Sequence, residues 1–70
     1  MAGYNVNYLR KIITVQDITL EHTRRGVTQQ WVFDNIVNPQ FFISQSTYYR
    51  YLRIPAKALI KQYEKTANAL

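Results

Sequence analysis

The chain has no cysteine, and in 70 residues that absence decides how a fold can be held together. Domains this small often rely on disulfides or a thiolate-bound metal. Both are excluded here, as is thiol catalysis. His22 is the single histidine, which excludes an imidazole cage as well. Packing, self-association or a bound partner must supply the stability. Surface scaling for this mass gives roughly 4,600 Å² folded against about 12,000 Å² unfolded, so the core is thin. It must offset an ordering cost on the order of 100 kcal/mol. Apolar residues make up 47% of the chain and aromatics 14%, enough to pack; charged residues, at 19%, are too few for a disordered chain. No apolar run approaches the roughly 18 residues that span a bilayer. Residues 1–7 lack the basic and apolar regions of a signal peptide and read as a flexible N-terminus. A cytoplasmic, single-domain protein with no membrane partner and no cofactor is expected.

The formal net charge is +5, a balance that favours polyanions or acidic surfaces. It is unevenly spread. Between Ser44 and Lys65 the chain carries Arg50, Arg53, Lys57, Lys61 and Lys65 against Glu64 alone. Elsewhere Arg10, Lys11, Arg24 and Arg25 are nearly balanced by Asp17, Glu21 and Asp34.

Gly26, Asn38-Pro39 and Pro55 punctuate an otherwise continuous pattern with no internal repeat. Ahead of Gly26, Tyr8 to Arg25 reads as a helix: cations occupy its last turn and glycine suits the left-handed residue that follows. Tyr8, Ile12, Val15, Ile18 and His22 form one stripe at helical spacing, and Leu9, Ile13 and Leu20 a second, offset one. So broad an apolar arc implies cover from two directions, with a second subunit as the candidate. The β-branched residues Ile12, Ile13, Thr14, Val15, Ile18 and Thr19 leave strand open for the stretch 8–14. Thr28 is a good cap for a second helix to about Val37, with Val27 and Val32 at staple spacing. Asn38-Pro39 should end that helix, because the residue before proline is driven from helical geometry. Ser44 then caps a third helix, with Ile43 and Tyr48 as its staple. Ile54-Pro55 should stop or bend the chain, and Pro55 opens a fourth helix over 55–67. The expected fold is an all-α bundle of about four helices.

The stretch Ile43-Ser44-Gln45-Ser46-Thr47-Tyr48-Tyr49-Arg50-Tyr51-Leu52 resembles the recognition helix of bacterial and phage helix-turn-helix regulators. Their pattern runs apolar, Ser, two polar residues, Thr, apolar, any residue, Arg, any residue, Leu. The resemblance covers those ten residues well and the unit 28–53 more loosely. It implies a regulator of transcription, of bacterial, phage or mobile-element origin, that binds double-stranded DNA as a homodimer. The helix Ser44–Arg53 would lie in the major groove. In that docking Ile43, Tyr48, Tyr51 and Leu52 face inward and Gln45, Ser46, Tyr49, Arg50 and Arg53 outward. Gln45 suits an adenine edge and Arg50 a guanine edge or a phosphate. Ser44, Thr47 and Tyr49 suit phosphates, and Lys57, Lys61 and Lys65 add a salt-dependent term along the backbone. One departure stands out: sixteen residues separate the caps Thr28 and Ser44, so the turn should be extended and bury Phe41 or Phe42.

Each candidate also has an ordinary reading. Tyr48 and Tyr51 belong to packing, Tyr49 to either role, and Trp31 to the core. Arg50 and Arg53 fit the solvated face of a short helix, and the lysine row a solubilising surface. Asp17 and Glu21 share a side of their helix, but His22 points about 100° from Glu21, and Arg25 is an ordinary ion-pair partner for Glu21. Neither a nucleophile–base pair nor a phosphate loop is present, so the chain does not read as an enzyme. The other class that the sequence admits is a protein-interaction module using exposed aromatics and the first helix.

Overall fold

The computed structural model describes residues 5–69, with side chains described over 5–64. Asn5 caps the first helix, its Oδ1 accepting the Tyr8 N–H at 2.7 Å. Helix α1, Val6–Arg24, therefore starts two residues ahead of Tyr8 and runs unbroken through the β-branched stretch. Helix wins over strand there because Leu9, Ile12 and Val15 are fully buried along one face, and tertiary packing overrides a weak local preference. Of the expected flexible segment, residues 5–7 form the cap and first turn, and 1–4 lie outside the described residues. At the far end Gly26 takes φ +92°. The Val27 and Gly26 N–H groups donate back to the His22 and Thr23 carbonyls at 3.1 and 3.0 Å, satisfying the helix end.

Thr28 Oγ1 accepts the Trp31 N–H at 3.1 Å and opens α2, which spans residues 29–41. Asn38-Pro39 does not end this helix, contrary to the sequence expectation. Its middle, Phe33–Val37, is a π turn in which the Asn38 N–H reaches the Phe33 carbonyl. The wider ladder resets the helix just ahead of Pro39, which falls in the first turn of the following segment, Asn38–Phe41. There a missing N–H costs nothing, and the ring avoids the carbonyl it would strike in a uniform helix. The stop comes instead at Phe42, whose backbone is left-handed at φ 55° and ψ 45° and whose N–H donates to Asn38 at 2.9 Å. A side chain in that conformation costs roughly 1–2 kcal/mol. The expected long turn thus shrinks to the three residues Phe42, Ile43 and Ser44, because the helix absorbs the rest. Phe41 packs against the core and Phe42 is 83% exposed.

Ser44 Oγ accepts the Thr47 N–H at 3.2 Å and starts α3, Gln45–Arg53. Ile54 leaves the helix in an extended conformation, and the Pro55 carbonyl accepts the first bond of α4, Ala56–Ala69. Among the described residues the result is a four-helix, all-α bundle. α2, α3 and α4 of the same chain pack against α1. Val32, Phe33, Val37, Tyr48, Tyr51, Ile54 and Ala56 complete the core. Trp31, expected in the core, is 47% exposed, and Leu20 on the second stripe of α1 is 52% exposed. Among the described residues no helix is long and apolar enough to cross a membrane.

Candidate nucleic-acid interface

Helix α3 is held to the bundle by its inner face and both of its ends. Tyr48 is fully buried, its ring 5.3 Å from that of Phe33 in α2. Its hydroxyl lies 2.8 Å from Thr19 Oγ1 of α1, and Thr19 in turn donates to the Val15 carbonyl at 2.9 Å. Burial raises the Tyr48 pKa above the usual 10.0, with the Thr19 hydrogen bond opposing the shift. One turn on, Tyr51 meets Tyr8 edge to face with ring centroids 5.7 Å apart. The Tyr8 pKa is raised too, first by its hydrogen bond with Tyr51 and then by burial. At the C-terminal end the Gln16 amide of α1 donates to both the Tyr51 and Ile54 carbonyls at 2.7 Å. Each carbonyl also accepts a backbone N–H, from Ile54 at 3.3 Å and from Ala56 at 2.8 Å, so the amide adds a second donor at the helix end. At the N-terminal end Gln45 Nε2 donates to Gln30 Oε1 of α2, and Gln30 Nε2 donates to Asp34 at 3.0 Å.

That anchoring leaves the opposite side of α3 in solvent. Gln45, Ser46, Arg50 and Arg53 are exposed, Ile43 and Leu52 pack against the core, and Tyr48 and Tyr51 lie within it, in the arrangement the helical spacing predicts. Tyr49 is half-buried, its ring 5.3 Å from that of Tyr48, so it flanks the face rather than projecting from it. Ser44 and Thr47 are engaged in the cap: the Ser44 hydroxyl donates to Thr47 Oγ1 at 3.0 Å. Lys57 is turned back onto α1, where its ammonium pairs with Asp17 at 2.8 Å, both side chains more than half exposed. Lys61 is exposed, and Lys65 lies outside the described side chains. Among the described residues no carboxylate lies within ion-pairing distance of Arg50, Arg53 or Lys61.

Four partners escaped the sequence reading: Gln16, Thr19, Gln30 and Lys11. The first three touch α3 across separations of 38, 29 and 15 residues, which no local pattern signals. Lys11 joins Arg50 because both positive charges act on the Tyr8 hydroxyl, opposing the rise in its pKa. Asp17, Glu21 and His22 line one open pocket with Thr14 and Ile18, but among the described residues no group of three such side chains could hold a metal ion. Glu21 pairs with Arg25 at 3.2 Å, and His22 bonds the Ile18 carbonyl while stacking on Trp31. An open groove of about 480 Å³ runs between α1 and the α3–α4 joint, lined by Gln16, Asp17, Leu20, Leu52, Arg53 and Lys57. In it Asp17 pairs with Lys57 and the Gln16 amide is spent on two backbone carbonyls. No protein-family model, curated protein or solved structure matches the chain.

Proposed function

We propose that this chain is a small DNA-binding protein, acting as a regulator of transcription, that lays α3 in the major groove. The observation carrying this reading is the outward side of α3. Ser46, Arg50 and Arg53 stand exposed without a carboxylate partner, on a helix locked from behind by Gln16, Thr19 and Tyr8. A rigid helix presenting short polar groups and then arginines has the width and the donors a major groove accepts. The bond to Gln30 uses one of the two Gln45 amide hydrogens. The other hydrogen and the carbonyl remain for an adenine edge. Arg50 reads guanine or grips a phosphate, Arg53, Lys11 and Lys61 act on the backbone, and Ser46 reaches either. Lys57 contributes less, since a phosphate must compete with Asp17. One such module contacts few base pairs, so a second copy on a symmetric site belongs to the proposal.

Fluorescence anisotropy with duplex DNA at about 50 and 200 mM salt tests it, because neutralised phosphates release counterions and affinity must fall steeply. On a preferred site recovered by random-sequence selection, Arg50→Ala should weaken binding by about 1–3 kcal/mol, and Lys61→Ala should lower the salt slope by about one. An equal loss on every sequence assigns Arg50 to phosphate alone. Absence of binding at either salt refutes the proposal. It would leave a protein-interaction module, for which exposed Phe42, Trp31 and Leu20 are available anchors.

A further inference from the structure

Phe42 combines two unfavourable features in one residue. It is the most exposed large apolar side chain of the described residues, at 83%, and their one non-glycine position with positive φ. Gly or Asn would serve the same helix stop without a penalty. Its neighbours Phe41 and Ile43 both pack against the core, so the fold itself makes no use of the Phe42 ring.

Its surroundings argue against a protein partner. Helix rise puts Trp31, in the first turn of α2, about 16 Å back along that helix. Leu20 lines the groove at the other end of α3, beside Arg53 and Pro55. Near Phe42 in the chain the exposed residues are Asn38, Pro39, Gln40, Ser44 and Gln45. A protein interface has an apolar centre built from several side chains, and one exposed ring with Pro39 beside it, set among amides and hydroxyls, makes a small one. A base pair in the major groove does offer a target of this size: the C5-methyl of thymine, for which an apolar side chain such as phenylalanine is a recognised match. Phe42 precedes the α3 cap by two residues, at the helix end that enters a groove first.

We infer that Phe42 is a specificity-determining contact, packing on a thymine methyl when α3 occupies the major groove; the inference rests on the DNA-binding reading above. The duplex recovered by selection is compared with the same duplex carrying deoxyuridine for every thymine, which deletes the methyls and leaves the hydrogen-bonding edges. The native chain should bind the deoxyuridine duplex at least about fourfold more weakly, the value of one buried methyl-sized group. Phe42→Gly should bind both duplexes equally while unfolding at a higher temperature, since glycine relieves the left-handed backbone. Phe42→Asn should behave as Phe42→Gly does. A native chain indifferent to the methyls, a selected site without thymine, or discrimination that survives in Phe42→Gly overturns this inference and leaves the DNA reading standing. If selection enriches no duplex, both fall.

Discussion

The Thr19–Tyr48 hydrogen bond fixes α3 against α1, and its energetic weight follows from the groups around it. Thr19→Val exchanges a hydroxyl for a methyl at nearly constant volume. The Val15 carbonyl loses a side-chain donor but stays inside the α1 ladder. The Tyr48 hydroxyl is left with the Gln29 carbonyl at 3.5 Å, a distance at which little of a hydrogen bond survives. Leaving a buried hydroxyl unpaired costs about 1–3 kcal/mol. The added methyl returns about 0.8 kcal/mol of burial, so the expected loss is about 1–2 kcal/mol. Tyr48→Phe should cost only about 1 kcal/mol, because the Thr19 hydroxyl keeps its bond to Val15 at 2.9 Å. The double variant then loses less than the two single losses combined, by about 1 kcal/mol, since neither side keeps an orphaned group. Urea unfolding followed by far-ultraviolet circular dichroism measures all four chains; tryptophan fluorescence is a poor reporter with Trp31 half in water. For a domain of this length about 1 kcal/mol moves the thermal midpoint by roughly 4–8 °C. Strict additivity of the two single variants, or a neutral Thr19→Val, would refute the assignment of that bond.

Three other outcomes follow from the same geometry. Tyr48 and Tyr8 both have raised pKa values in the folded chain, so the unfolded state releases their protons first; their contribution is complete below pH 9 and lost as pH rises past about 10. Urea midpoints at about pH 9 and 11 measure that loss, and Tyr48→Phe should remove part of it but not all, since Tyr8 remains. Gln16→Leu withdraws both side-chain donors from the end of α3, leaving the backbone ones, and should cost about 1–2 kcal/mol, with faster amide exchange beyond Arg50. Gln16→Glu should be worse at neutral pH and recover as the carboxyl protonates, because a carboxylate would face two carbonyl oxygens. Lys57→Ala should change stability by under about 0.5 kcal/mol, an effect erased by high salt, since the pair with Asp17 is largely exposed.

The local signals in this sequence carried through to the structure wherever the cause was local. Thr28 and Ser44 cap as their side chains dictate, Gly26 supplies the left-handed residue after α1, and Ile54-Pro55 divides α3 from α4. Asn38-Pro39 misled because a proline stop presumes a uniform ladder. The π turn over Phe33–Val37 is favoured by burying Phe33 and Val37, a tertiary gain that no rule for neighbouring residues contains. Trp31 misled for a related reason. An element that is apolar on most sides cannot bury all of them in a bundle whose core is this thin, and the α2 start lies beside His22 at the edge. On α1 the buried line is Leu9, Ile12, Val15 and Thr19, cutting across both stripes read from the sequence. A threonine enters it because Tyr48 brings a hydroxyl to meet it.

The candidate interface divides the same way, and the division bears on how charge should be read. Which residues of α3 face outward was legible, since a period of 3.6 with Tyr48 and Tyr51 inside leaves Ser46, Arg50 and Arg53 outside. Which cations are available was not. Counting by segment places a uniform basic block in the last third of the chain, yet Asp17, forty residues earlier, sits against Lys57 and weakens its part in that block. Lys11, in the nearly balanced first half, stands with Arg50 around Tyr8. Coulomb interactions follow distance through the fold, and across a few ångströms one carboxylate outweighs several lysines a Debye length away. α1 thus brings both a carboxylate, against Lys57, and a cation that acts with Arg50 on Tyr8, besides the side-chain donors and the hydroxyl it gives to α3. Removing the Lys11 charge should then lower DNA affinity at low salt more than removing that of Lys57, although a segment count ranks them in the opposite order. Anisotropy titrations of Lys11→Ala and Lys57→Ala side by side measure that ranking. Equal losses would return the argument to net charge alone.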